Sequence, residues 1–249
     1  GFATEIVAVD LDFNHFLALK CRDPLLVLNL VDAVRGDGRL APVIPSMLDA
    51  VGLPYTGAHS DAWLETLSKV AAKLKLACEG LPTPGFSVDG SGLDPDAKFI
   101  VKAVWEHGSL GLDEGSVVKG ADAARIIADR DARFGTEHFA ESFVEGREFN
   151  LSLLEERGRA TVLPIAEILF EDWREGRPRI VGYDAKWTSD SEAYIGTPRR
   201  FGLEKDDFKS SYAGIMGGAG FDLSRLTVDV SYEGSLGKVM ENSDAKQQS

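Results

Sequence analysis

Between residues 138 and 170 three extended segments follow one another with no room for a helix between them. Residues 138–144 (HFAESFV) read as a strand, 145–147 (EGR) as a turn and 148–154 (EFNLSLL) as a returning strand. Residues 161–170 (TVLPIAEILF) continue as a third. Consecutive strands joined by short turns can pair only antiparallel, so this half of the chain is committed to an α+β arrangement.

The first half follows a different rule. Residues 5–10 (EIVAVD) and 25–29 (LLVLN) are apolar runs of strand length, with a helix expected over 15–22 between them. A turn at 35–39 (RGDGR) leads into a helix over 43–51 that Gly52 stops, and residues 53–57 are a short extended piece. Strands alternating with helices at this spacing imply a parallel, covered sheet. Residues 61–79 carry Trp63, Leu64, Leu67, Val70, Leu74 and Cys78 at helical spacing, with Gly80, Pro82 and Pro84 as stop signals. Lys73 and Lys75 on that helix read as members of a solvated face. Residues 87–95 look like an exposed loop. A second helix covers 122–133, with Ala124, Ile126, Ile127 and Phe134 as its buried side. Later, 196–200 is expected as a loop, 212–220 as glycine-rich and weakly helical, 226–230 as strand or helix, and 243–249 as a polar tail.

Residues 98–112 join the two halves. Phe99, Ile100 and Val101 form a short β-rich run that delivers Lys102 at its end, and the chain then opens into a loop with Gly108, Ser109 and Gly111. Small residues let backbone N–H groups approach a polyanion, and a lysine at a strand end neutralises phosphate charge; taken alone, the same residues read equally as an ordinary strand with an edge lysine and a glycine turn.

With 249 residues and 44% hydrophobic content the chain is expected to be a soluble protein of one or two domains. A net charge of −13 argues against sequence-independent nucleic-acid binding and against an anionic membrane surface, so any anionic ligand needs a local basic focus. Cys21 and Cys78 are too few for a disulfide framework and lack metal spacing, which points to a reducing, cytoplasmic compartment. No stretch has the length of a membrane span, and no basic segment followed by an apolar core suggests export.

Seven segments occur in one order: 52–57 (GLPYTG), 68–69 (SK), 80–85 (GLPTPG), 100–102 (IVK) with 108–111 (GSLG), 141–149 (ESFVEGREF), 163–165 (LPI) and 183–187 (YDAKW). Together they resemble the D-alanine–D-alanine ligase branch of the ATP-grasp enzymes, over roughly residues 25–200. The resemblance implies an ATP-grasp fold of α/β and α+β parts. It divides into a truncated Rossmann-like N-terminal domain (1–66), a central lid subdomain (67–144) and an incomplete C-terminal subdomain (145–249).

The resemblance also implies roles. Lys69 and Lys102 reach nucleotide phosphates from two sides, and Lys186 approaches the phosphate or the adenine edge from a third element, so that convergent lysines let an acidic protein hold a triphosphate. Glu141 and the backbone near Val144 read the adenine edge, and Glu148 accepts from ribose hydroxyls. The Gly108–Gly111 loop closes over the phosphates and protects an acyl phosphate from water. Tyr55, Ser109 and Trp187 are the candidate catalytic, substrate-side residues. Trp187 stands where the ligases usually place a tyrosine, so that hydroxyl is missing. The implied cofactors are ATP and Mg2+, with Mn2+ able to replace it, and the partners are small amino acids and, in one arrangement, a second copy of the chain.

Two departures stand out. The family's first strand and its acidic substrate-binding residue are not found, and the family's metal-binding Arg-x-Asp and Glu-x-Asn strands have only Asp229 (in 227–229, TVD), Glu241 and Asn242 as counterparts. Neighbouring residues on a strand point to opposite faces, so Glu241 and Asn242 cannot share one metal from a regular strand. In an alternative alignment 219–226 resembles the family's C-terminal helix and the metal-binding hairpin is absent. The functional expectation is an ATP-dependent carboxylate–amine ligase; the alternative is an ATP-binding protein of the same scaffold without ligase activity.

Overall fold

The computed structural model describes residues 2–156, 159–202, 214–222 and 225–233, with the backbone alone described for 155–156, 159–160 and the last two stretches. The chain divides into two compact units, Gly1–Leu67 and Ser68–Ser249.

In the first unit, helices α1 (Phe13–Cys21) and α2 (Val43–Val51) pack Phe16, Ile44 and Leu48 with Val34 and Leu53 into one core. Asp12 caps α1 by accepting from the Asn14 amide at 2.9 Å. Gly52 ends α2 in the left-handed conformation at φ 67°, and the Lys20 ammonium donates to its carbonyl at 2.8 Å. The expected parallel sheet is not there among the described residues. Residues 5–10 form no strand, and 25–29 make only an isolated parallel bridge, Val27 to Tyr55. A buried strand needs neighbours on its edges and cover on both faces; here Ile6 is 101% and Leu25 78% exposed. α3 (Ser60–Leu67) completes this unit.

A single helix expected over 61–79 is two. Ser68 leaves the helical conformation (φ −80°, ψ 115°) and caps α4 (Lys69–Cys78) by accepting from the Ala71 amide at 3.2 Å. The division between units falls at this break.

The second unit is built on a four-stranded antiparallel sheet. Its strands are β1 (Phe86–Ser87), β2 (Lys98–Ala103), β3 (Val117–Lys119) and β4 (His138–Ser142), in the order β1-β4-β2-β3. α5 (Gly120–Phe134) covers one face, packing Ala123 and Ile127 on Phe99, Val101 and Ala140. The buried position is Ala123, not the expected Ala124, which is exposed.

The expected hairpin of residues 138–154 is also divided. β5 (Glu148–Asn150) pairs not with β4 but with β8 (Ala166–Ile168), while β6 (Leu153–Glu156) pairs with β7 (Arg159–Val162). Charges help set this crossing between sheets. Lys98 holds Glu145 at 2.5 Å, and Arg147 grips the buried Glu167 of β8 through two N–H groups at 2.7 and 2.9 Å.

Two short helices, α6 (Tyr183–Trp187) and α7 (Glu192–Ile195), precede β9 (Arg199–Arg200), which adds to β8. β10 (Gly214–Asp222) and β11 (Arg225–Glu233) pair antiparallel along their whole length. That overturns the weakly helical reading of 212–220 and the alternative helix at 219–226. The glycines that disfavour a helix are tolerated here because every residue of β10 has a β11 partner, and Thr227, Val228 and Val230 favour the strand.

Phe99→Ala empties part of the buried cluster under α5 and is expected to cost about 3–5 kcal/mol. Ala124→Ser, on the exposed side of the same helix, is expected to stay within about 0.5 kcal/mol in the same urea titration.

Candidate functional site

β2 carries Lys102 on the sheet face opposite α5. Cross-strand partners share a face, and the register sets Lys102 against Phe139, Ile100 against Glu141 and Lys98 against Lys119. On this face the carboxylate of Glu141 lies between two ammonium groups. Lys102 Nζ donates to Oε1 at 2.5 Å and Lys73 Nζ to Oε2 at 2.8 Å. Lys73 also donates to Thr83 Oγ1 at 2.8 Å and stands 5.5 Å from the centre of the Phe86 ring.

Lys73 is therefore not on a solvated face: it is 4% exposed, and Glu141 is 2% exposed. Its signal in the sequence was the four-residue step from Lys69, which puts both lysines on one side of α4. Burial pushes the Glu141 carboxyl up, but Lys102 and Lys73 outweigh it and hold the group below its ordinary value. Burial pushes Lys73 down, and Glu141 offsets only part of that.

Lys69 opens α4 at the exit of β2. Its amide donates to Val104 O at 3.0 Å and its ammonium to the carbonyls of Ala103, at 2.9 Å, and Glu106. The residue as a whole is half-buried, yet its amine is desolvated. Burial, then Lys102 and Lys186, push it from the ordinary 10.5 down to about 7, against the pull of Glu141 and Glu106. Lys69, Lys102 and Lys186 are thus close enough for Lys69 to feel both of the others.

The loop after β2 is docked on the segment carrying Lys186. Trp187 Nε1 donates to Gly108 O at 2.7 Å, Ser109 Oγ to Val181 O at 3.3 Å, and the Tyr183 amide to Leu112 O at 2.9 Å. Ser109 has a positive φ of 60°, and Gly111 follows at 67°. A side chain at Gly111 would put Cβ 2.6 Å from the Phe134 ring, so glycine is required there; Arg130 holds the Gly111 carbonyl from the other side.

A cavity of about 470 Å3 lies further along, lined by Lys98, Val117, Lys119, Phe143, Glu145 and Arg179 among others. Its lysines sit at the start of β2 and the end of β3, four residues before Lys102, or about 13 Å along the strand. Val144 lies between β4 and β5, and half-buried Glu148 opens β5 opposite Ile168.

Tyr55 belongs to the first unit, where its hydroxyl donates to Asp49 Oδ2 at 3.0 Å and lies 2.7 Å from His59 Nδ1; burial and Asp49 push it up to about 12. Asp229 pairs with Gly218 in the β10–β11 ladder, and Glu241 and Asn242 lie outside the described residues. Among the described residues no group of three or more His, Cys, Asp or Glu could hold a metal ion. No described helix is long and apolar enough to cross a membrane.

No family model matches the chain. A D-alanine–D-alanine ligase of Gluconobacter oxydans is 31% identical over 163 residues, covering 63% of this chain and 52% of that protein. One of Ralstonia pickettii is 33% identical over 133 residues, 51% of this chain and 39% of the relative. The chain spans about half the length of the curated relatives it matches. The crystal structure of D-alanine–D-alanine ligase from Bacillus anthracis aligns with a TM-score of 0.55 at 18% identity, over 98% of this chain and 82% of that one. The same enzyme complexed with ATP gives 0.52, over 98% and 81%. The chain has an ATP-grasp fold and is D-alanine–D-alanine ligase-like. Each carboxylate oxygen of Glu141, the residue expected at the adenine edge, accepts from one lysine.

An amine at about 7 is mostly neutral at pH 8, and an adjacent polyanion restores its proton. ATP binding at pH 8 is therefore expected to take up about one proton, read by calorimetry in buffers of different ionisation enthalpy and lost in Lys69→Met. Without ligand, the unfolded chain binds the Lys69 proton more tightly than the folded one between about 7 and 10.5. Stability from this group is lowest below that window and rises with pH across it, a slope that the same variant should flatten.

Proposed function

We propose that the chain provides the nucleotide-binding machinery of an ATP-dependent carboxylate–amine ligase of the D-alanine–D-alanine ligase type, acting through an acyl phosphate. The observation that carries this reading is the convergence of Lys69, Lys102 and Lys186, with the glycine loop bonded to the segment of Lys186, in a protein of net charge −13. So many cations gathered about one buried carboxylate leave a local positive excess that suits a polyanion.

In this reading the triphosphate lies against the three lysines. The base extends along the sheet face toward the cavity at Phe143 and Val117, a distance matching an extended nucleotide. The backbone near Val144 reads the base edge and Glu148 accepts from the ribose hydroxyls. A substrate carboxylate oxygen attacks the γ-phosphorus, the bond to the β-phosphate oxygen breaks, and ADP leaves. An amine nitrogen then attacks the acyl carbon, the acyl–oxygen bond breaks, phosphate departs and the amine proton passes to solvent. Lys102 and Lys186 offset the charge that builds on the transferred group.

The loop at 108–112, held by Trp187 and Val181, keeps water from the acyl phosphate. Ser109 and Trp187 border this loop, and Tyr55 is retained as a candidate substrate-side residue. When bound, Mg2+, or Mn2+ in its place, supplies a counter-charge for the phosphate oxygens. Asp229, Glu241 and Asn242 remain the candidate ligands. Small amino acids are the proposed substrates, with a second copy of the chain as one partner arrangement and the cytoplasm as the compartment.

Incubation with ATP, Mg2+ and a panel of D- and L-amino acids is expected to release ADP and phosphate only when an amino-acid pair is present. ATP-induced thermal stabilisation with no turnover for any pair supports the non-catalytic binding protein instead. Lys102→Ala is expected to weaken ATP binding at least about tenfold. An unchanged affinity removes Lys102 from the phosphate site.

A further inference from the structure

Lys73 is the one member of the buried lysine cluster to which the ligase reading gives no work. Its ammonium is committed to Glu141 and Thr83 and faces the Phe86 ring. At 4% exposure it is withdrawn from any ligand in solvent, yet it occupies the second oxygen of the carboxylate that also holds Lys102. We propose that Lys73 is a positioning residue for Lys102, acting through Glu141 to keep Lys102 available to the nucleotide phosphates. This inference rests on the nucleotide reading above.

The argument is a competition for one ammonium group. Lys102 is shared between Glu141, at 2.5 Å, and any phosphate on the open side of the sheet. With Lys73 in place, the carboxylate is already neutralised from α4, and Lys102 can turn part of its charge toward the ligand. Without Lys73, Glu141 is a buried carboxylate whose described ammonium partner is Lys102 alone, and leaving such a charge uncompensated is costly. Lys102 is then drawn onto Glu141 and the ligand has to displace it. The effect passes through the sign of Glu141, so removing that charge as well should undo it. A residue that merely filled space would show no such reversal.

The experiment is ATP binding by calorimetry to the whole chain and to K73M, E141Q, K102M and K73M/E141Q, with adenosine as a probe that lacks phosphates. K73M is expected to weaken ATP about tenfold while adenosine affinity stays within about twofold. K73M/E141Q is expected to recover most of the lost ATP affinity. An unchanged ATP affinity in K73M, an equal loss for ATP and adenosine, or a double variant as weak as K73M overturns the proposal. Should K73M fail to fold by circular dichroism, K73Q carries the same comparison, since its amide can still donate to Thr83 and Glu141 without the charge. If the unaltered chain binds ATP and K102M weakens it, failure in the K73M series sinks this proposal alone. If the unaltered chain binds no ATP, both readings fall.

Discussion

A carboxylate almost fully withdrawn from water, with an ammonium group on each oxygen, is the interaction on which the second unit depends. Glu141 reaches Lys102 in the neighbouring strand and Lys73 in α4, so one residue ties the sheet to that helix. Burying three charges is expensive, and such clusters are weak evidence for stability as such. What this one fixes is geometry. Lys102 and Lys73 cannot move independently, and Lys69, four residues before Lys73, is held at the exit of β2 by the same helix.

The position of Lys186 depends on a separate set of contacts. The loop after β2 has its Gly108, Ser109 and Leu112 joined to residues 181–187 by one indole, one hydroxyl and one amide. A tryptophan can supply the first of these because its N–H is a donor only and Gly108 offers a carbonyl. The residue that departs from the family pattern is thus also the one that ties the glycine loop to the helix of Lys186. In this chain the loop's contact at 187 is made by ring nitrogen and ring area, without a phenolic hydroxyl.

How much of this was legible in the sequence varied with the range of the interactions involved. Local signals held: Gly52 stops α2, residues 122–133 form most of α5, and Lys102 stands near the end of a short strand before a glycine loop. Ordered short motifs identified the fold, because each carries its own backbone geometry. Signals that need a distant partner did not hold. Residues 5–10 and 25–29 have strand composition, but a strand exists only where a neighbour pairs with it, and composition does not supply one. Residues 138–154 read as strand, turn and returning strand, yet β5 found its partner in β8, where Glu167 meets Arg147. Lys73 was read from its charge, and charge alone favours solvent; only the carboxylate of Glu141, 68 residues away, reverses that preference. The helix expected across 61–79 broke at Ser68 because a serine hydroxyl can replace one turn of backbone hydrogen bonding, a competition that apolar periodicity does not register.

The net charge of −13 sharpens the meaning of the cluster. An acidic surface repels a polyanion at long range, and salt screens that repulsion over about 8–10 Å at ordinary ionic strength. A patch of exposed lysines would be screened to the same degree and would gain little. Cations withdrawn from water are screened far less, so attraction at short range can survive where a surface patch would fail. Withdrawing them has its own cost: Lys69 yields by shedding its proton near neutrality, whereas Lys102 and Lys73 are compensated by a shared carboxylate. The two solutions are complementary. One lysine becomes charged when the ligand supplies the counter-charge, and the other two stay compensated by Glu141 while the site is empty, so the folded chain tolerates a cationic site before any nucleotide arrives.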